Sequence, residues 1–165
     1  MELRNAMKSV LYGNRLVASV RILLGGLFLY SGFFKVMDPV AFGGTIAMYQ
    51  LVPEILVPYF ALTISSLELV LGALLVTGTG IRPAAFISIL MMLVFSVAIS
   101  INLAQGRKFD CGCFELSRFG ISENLSSWLV LRDLVIAFLL YPVFNAKRHF
   151  YSIESLVEKM KLRDA

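Results

Sequence analysis

Residues Pro83 to Gly106, PAAFISILMMLVFSVAISINLAQG, run for 24 positions without a charged side chain. At about 1.5 Å per residue, a helix of that length crosses a hydrocarbon core of about 30 Å. The composition agrees: 58% of the chain is hydrophobic and 16% charged, against roughly 45 to 50% and roughly 25% in soluble domains. The stretch therefore reads as a membrane-spanning helix. Pro83 suits its first position. Ser100, Asn102 and Gln105 gather at its far end, where polar groups can line a cavity.

On the N-terminal side, residues 55–78 form a second span interrupted by one charge, Glu68. Ser65, Glu68 and Gly72 fall at i, i+3 and i+7, so they share a face that should point into a bundle. Residues 16–37 form another span, with Arg21 and Lys35 near its ends, from which long side chains can snorkel toward head groups. Gly25 and Gly32 on it let a neighbouring helix approach closely. Asp38-Pro39 closes this span, and a short helix is expected around Thr45 to Gln50 in the loop beyond. On the C-terminal side, residues 126–145 form the last span, which contains Arg132 and Asp133 and ends at a Tyr141-Pro142 interruption. Residues 1–15 and 147–165 read as basic amphipathic ends lying on the membrane surface. The first span lacks a small-residue cleavage signal behind it and is expected to be retained. The expected fold is all-α: one four-helix transmembrane bundle over residues 1–165, since spans joined by short loops pack as antiparallel neighbours.

Lys and Arg set the orientation. Arg4, Lys8, Arg15, Arg21, Arg82, Lys147, Arg148, Lys159, Lys161 and Arg163 fall on one side, and Lys35, Arg107, Lys108 and Arg118 on the other. This bias places both termini in the cytoplasm, in a bacterial inner membrane, and the loop after Arg107 outside. The net charge of +4 does not indicate nucleic acid, because the basic residues flank apolar runs instead of forming an aromatic-and-basic surface. His149, the sole histidine, lies beside Lys147 and Arg148 at the basic C-terminal tail, a poor setting for a Ser-His-Asp triad.

The outer loop holds the only two cysteines, in Asp110-Cys111-Gly112-Cys113-Phe114. Two extended steps span about 7 Å, whereas disulfide-linked Cα atoms sit about 5.5 to 6 Å apart, so a bond between them requires a curled backbone, which Gly112 permits. So tight a bond should be strained and exchangeable, which favours a redox pair. A small structural staple, unpaired thiols and a metal-binding pair are the other readings. For a metal, Cys111, Cys113 and Asp110 would be the ligands, and thiolates suit a soft ion such as Cu(I), but no Met or His cluster accompanies them.

Glu68 and Arg132 lie at depths within about 6 Å of each other, so an ion pair between them is expected if their helices touch. The other reading is a polar pocket under the cysteine loop, in which Lys35 and Arg132 stabilise a polar or anionic headgroup. Trp128, four residues before Arg132, either stacks on that guanidinium or belongs to the interfacial belt.

The chain resembles the MauE branch of the DoxX-like four-helix membrane proteins. The resemblance is carried by Arg21-Ile22-Leu23-Leu24-Gly25, Ser31-Gly32-Phe33-Phe34-Lys35 with Asp38-Pro39, Tyr49-Gln50-Leu51-Val52-Pro53, Glu68-Leu69-Val70-Leu71-Gly72 and the cysteine motif, in that order. Glu115 departs from the glycine expected there, and a carboxylate at that point disfavours thiolate formation. The resemblance implies four spans and a role beside thioredoxin-like partners, the named case being maturation of a disulfide-rich subunit of methylamine dehydrogenase. The expected function is thus a membrane thiol-disulfide oxidoreductase linking an extracytoplasmic thioredoxin-like protein to a membrane quinone. Cys111 and Cys113 would be catalytic, and Arg132, Glu68, Lys35, Trp128 and Asn102 would surround the quinone. In that arrangement Arg132 stabilises the reduced headgroup, while Glu68 holds Arg132 and can accept a proton. The competing expectation is a non-catalytic assembly or scaffold subunit whose charged residues only hold the bundle.

Overall fold

The computed structural model describes residues 2–107 and 127–146, with side chains from Arg15 onward. The described residues are helical throughout, with no strand. Helix α1 runs from Glu2 to Met37, α2 from Pro39 to Tyr49, α3 from Val57 to Thr77 behind a short 3₁₀ turn at Glu54–Leu56, α4 from Ile81 to Ala104, and α5 from Ser127 to Asn145. Four segments are long and apolar enough to cross a membrane: Arg15–Met37, Glu54–Thr77, Ile81–Ala104 and Ser127–Asn145.

Punctuation residues act where their chemistry directs. Asp38 ends α1 and also opens α2, its carboxylate accepting a bond from the Ala41 amide at 3.0 Å, with Pro39 in the first helical turn. Asp38-Pro39 is therefore a start signal as well as a stop, and the short helix begins earlier than expected. Between α3 and α4, Gly78 (φ 77°) and Gly80 (φ 57°) both take the left-handed conformation that glycine adopts without a Cβ penalty. The chain thus reverses within three residues. Helix α4 begins at Ile81, so Pro83 sits two residues later than the first-position expectation, still inside the first turn where its missing N–H leaves no bond unmade.

Residues 2–15, expected as an amphipathic end, are the first turns of α1, which runs on unbroken into the span, and the second amphipathic end, expected over residues 147–165, lies outside the described residues. Pro142 does not end the last span: α5 continues through it to Asn145, at the cost of the one helical hydrogen bond that its missing N–H would have made.

Helix α1 packs chiefly on α3, and α4 on α5; α1 against α5 and α3 against α4 close the ring, and α2 lies against α3. Gly25 of α1 lies beside Leu75 and Val76, and Gly32 beside Glu68 and Leu69, so the two helices run antiparallel. The core is filled by Phe28, Leu71, Leu75, Met92, Ile99 and Leu140. Only 33 to 39% of each span is buried within the protein, while Leu23, Leu90, Val94 and Phe138 point outward. That apolar exterior requires lipid around it.

Candidate functional site

Close helix contact creates the polar centre. Gly25, Gly32 and Gly72 bring α1 and α3 so near that a Cβ on Gly32 would lie 2.6 Å from the Leu69 backbone nitrogen, and one on Gly72 would lie 2.6 Å from that of Leu29. Ser31 and Lys35, four apart, share the α1 face turned to α3. From α3, Glu68 meets them: Lys35 Nζ lies 2.8 Å from both carboxylate oxygens, and Ser31 Oγ donates to Oε2 at 2.9 Å. The Lys35 and Glu68 side chains are 0% and 2% exposed. The Phe42 ring of α2 lies 4.6 Å from Lys35 Nζ and the Phe95 ring of α4 lies 5.9 Å away, both positioned to interact with the ammonium. One charged pair thereby links four helices.

The expected Glu68–Arg132 pair is therefore corrected. Glu68 faces α1 because the glycine-tight contact is with α1, whereas Arg132 on α5 bonds its neighbour Asp133, with Nε and Nη2 at 3.1 and 3.0 Å from Oδ1. Similar depth makes two charges eligible to pair; rotation about the helix axis decides whether they do. Snorkelling is corrected as well, since Arg21 and Lys35 are both fully buried. Lys35 is held inward by the carboxylate it neutralises.

The other anticipated residues are dispersed. Arg132 remains 18% exposed at its side chain, and Trp128 at 68% points out of the bundle, as an interfacial belt residue does. Asn102 is fully buried; its Nδ2 donates to the Ala98 carbonyl at 3.0 Å, and its Oδ1 has no hydrogen-bond partner among the described residues. Cys111 and Cys113, with Asp110 and Glu115, lie outside the described residues. Among the described residues no three His, Cys, Asp or Glu side chains cluster as metal ligands would.

The sequence by itself assigns no role at the polar centre to Ser31 or Phe42, and none beyond the charge bias to Arg107. The Ser31–Lys35 spacing was the available signal for the first. Arg107 had entered only the charge count, yet its guanidinium reaches across to the end of α2: Nη1 lies 3.3 Å from the carbonyls of Met48 and Tyr49, and Nη2 donates to Gln50 Oε1 at 2.6 Å. The loop joining α1 to α3 and the one leaving α4 thus share one end of the bundle, the end nearer Lys35.

Antiparallel apolar helices around a buried, hydrogen-bonded ion pair define a multi-pass helical membrane protein with a polar interior at the α2 end. A family profile described as methylamine utilisation protein MauE matches residues 13–145, and the chain belongs to this family. The methylamine utilization protein MauE of Paracoccus denitrificans is 33% identical over 122 residues, covering 73% of this chain and 64% of that protein. Its namesake from Methylorubrum extorquens is 37% identical over 97 residues, covering 58% and 50%. A protein named TlpB from Flavobacterium psychrophilum is 30% identical over 145 residues, covering 82% of this chain and 40% of that protein. The chain thus spans between about two-fifths and two-thirds of the length of these relatives. No solved structure matches it.

Proposed function

We propose that this chain is a membrane thiol-disulfide oxidoreductase serving the methylamine utilisation named in its relatives, acting in the bacterial inner membrane on an extracytoplasmic thioredoxin-like partner. The observation that carries the reading is the delivery of the chain by α4, at Arg107, to the end of the bundle shared with α2 and the Lys35–Glu68 pair. The only two cysteines follow at positions 111 and 113. In the forward direction a partner thiolate attacks the Cys111–Cys113 disulfide, forming a mixed disulfide as that bond breaks. The partner's second thiolate then attacks the mixed disulfide, leaving an oxidised partner and a reduced pair. A membrane quinone would supply the two-electron, two-proton acceptor that restores the disulfide. With a single cysteine pair, the same two sulfurs must face partner and acceptor in turn.

Arg132 is the residue proposed to stabilise the reduced headgroup, because its planar guanidinium offers several N–H donors from a partly exposed position. Both cations have a carboxylate partner, but the Lys35–Glu68 pair is sealed inside the bundle, whereas the Arg132 side chain stays partly exposed beside Asp133. The closed Lys35–Glu68 pair also supports the second reading, a scaffold whose charges hold the helices while the loop docks a partner.

Reduced thioredoxin added outside right-side-out vesicles, with its thiols followed over time, separates the two. Catalytic oxidation is expected for the native chain and its loss in both Cys111→Ser and Cys113→Ser. Arg132→Gln should still form the mixed disulfide but be reoxidised at least about tenfold more slowly, a barrier change of about 1.4 kcal/mol. Undiminished turnover in both serine variants would refute the oxidoreductase reading; capture of thioredoxin without turnover by the native chain would favour the scaffold.

A further inference from the structure

We propose that the bundle interior binds a water molecule beside Ser96, joining the Lys35–Glu68 and Arg132–Asp133 pairs into one polar layer. The inference stands apart from the oxidoreductase reading. Its starting point is a contrast among the hydroxyls of the spans. Ser65, Thr77 and Ser100 each return theirs to the carbonyl four residues back, at 2.6, 2.8 and 2.7 Å, the ordinary way a helix satisfies such a side chain. Ser88 and Ser96 do not. Both are buried on the face of α4 that carries Met92 and Ile99, and neither Oγ has a hydrogen-bond partner among the described residues. A hydroxyl so placed loses its hydration with nothing in return.

Packing contacts fix what surrounds each of the two. The Phe95 ring lies 5.9 Å from Lys35 Nζ, which sets the neighbouring Ser96 at the level of the Lys35–Glu68 pair. Phe86 and Phe144 pack with their rings 6.0 Å apart on the antiparallel helices α4 and α5. Ser96 is ten residues on from Phe86 and Asp133 eleven back from Phe144, so the two stand within about 1.5 Å of the same height. Asp133 is fully buried and holds Arg132 through Oδ1. Ser88 stands elsewhere. Helices α1 and α4 both run antiparallel to α3 and so parallel to each other; seven residues back from Lys35 and Phe95 come Phe28 and Ser88. Ser88 is therefore level with the apolar core that Phe28 shares with Leu71 and Leu75.

The chemistry of the layer selects the ligand. Lys35 and Arg132 balance Glu68 and Asp133, so a bound ion would bring an uncompensated charge into the interior. A small neutral molecule that both donates and accepts fits instead. The Ser96 hydroxyl can do either. Lys35 turns two bonds toward the Glu68 oxygens, and an ammonium has three N–H groups; each carboxylate has about four acceptor positions. A buried water typically makes about three hydrogen bonds, and this layer supplies them. At the level of Ser88 it would meet one hydroxyl among apolar side chains. Water at Ser96 also opens the sealed ammonium to proton exchange.

The test uses the full chain in lipid bilayers with water itself as the probe, by solid-state NMR in which magnetisation passes from water protons to the protein. Transfer is expected to reach Ser96 Cβ and Lys35 Nζ rapidly and Ser88 Cβ slowly. Ser96→Val, which exchanges the hydroxyl for a methyl, should abolish the transfer to Lys35 Nζ. Thermal midpoints give a second readout. Ser88→Ala removes a hydroxyl that bonds nothing and should melt above the native chain; Ser96→Ala removes a water ligand and should melt below it. Equal transfer to the two serines in the native chain overturns the inference, and so does a Ser96→Ala midpoint raised as that of Ser88→Ala is. If Ser96→Val does not assemble, the comparison of Ser96 with Ser88 in the native chain decides.

Discussion

Glu68→Leu is expected to destabilise the bundle by about 3 to 5 kcal/mol, because it leaves the Lys35 ammonium buried without the carboxylate 2.8 Å away. Lys35→Met should have a comparable effect, leaving the carboxylate with only the Ser31 hydroxyl bonded to it among the described residues. The double variant Lys35→Met/Glu68→Leu should recover most of the loss, since it removes both charges and puts apolar volume in their place. Unfolding in mixed micelles, followed by loss of helical signal, measures all three. If the double variant is as unstable as the sum of the singles, the pair's role lies outside helix association. If the double variant is stable but fails to oxidise thioredoxin, the charges serve the reaction and not only the bundle.

The second large effect is expected at the α1–α3 contact. Gly32→Ala places a methyl 2.6 Å from one backbone atom of α3 and 3.0 Å from another, so the helices themselves must part. Overpacking of this kind typically costs about 1 to 3 kcal/mol. Separation would also draw Ser31 and Lys35 from Glu68, so the loss should exceed that of a simple overpacked site. Gly72→Ala, which meets the Leu29 nitrogen at 2.6 Å and the Gly25 carbonyl oxygen at 2.8 Å, should behave alike. Gly26 faces open space, and Gly26→Ala should instead stabilise α1 slightly, because alanine is a better helix former by up to about 1 kcal/mol. Equal effects at Gly26 and Gly32 would show that helix propensity, not contact, dominates at both.

Both predictions show how far the chain could be read unaided. Uncharged runs such as residues 83–106 announce spanning helices because lipid forbids unsatisfied backbone, a constraint that acts on each segment separately. The inward face of Ser65, Glu68 and Gly72 was legible from periodicity alone, and all three are buried. So was the use of Gly25 and Gly32 for close approach, since a missing Cβ on a spanning helix has few other purposes.

Partner choice was not legible. Sequence places Glu68, Lys35 and Arg132 by depth along their helices, but the angle about each axis and the order of helices around the ring arise only when all the faces pack together. Glycine contacts turned α3 toward α1, which gave Glu68 to Lys35 and left Arg132 with Asp133. The bonds from Arg107 to Met48, Tyr49 and Gln50 span 57 to 59 residues of chain. No local propensity encodes that contact; it exists because antiparallel packing brings the ends of α2 and α4 to the same level.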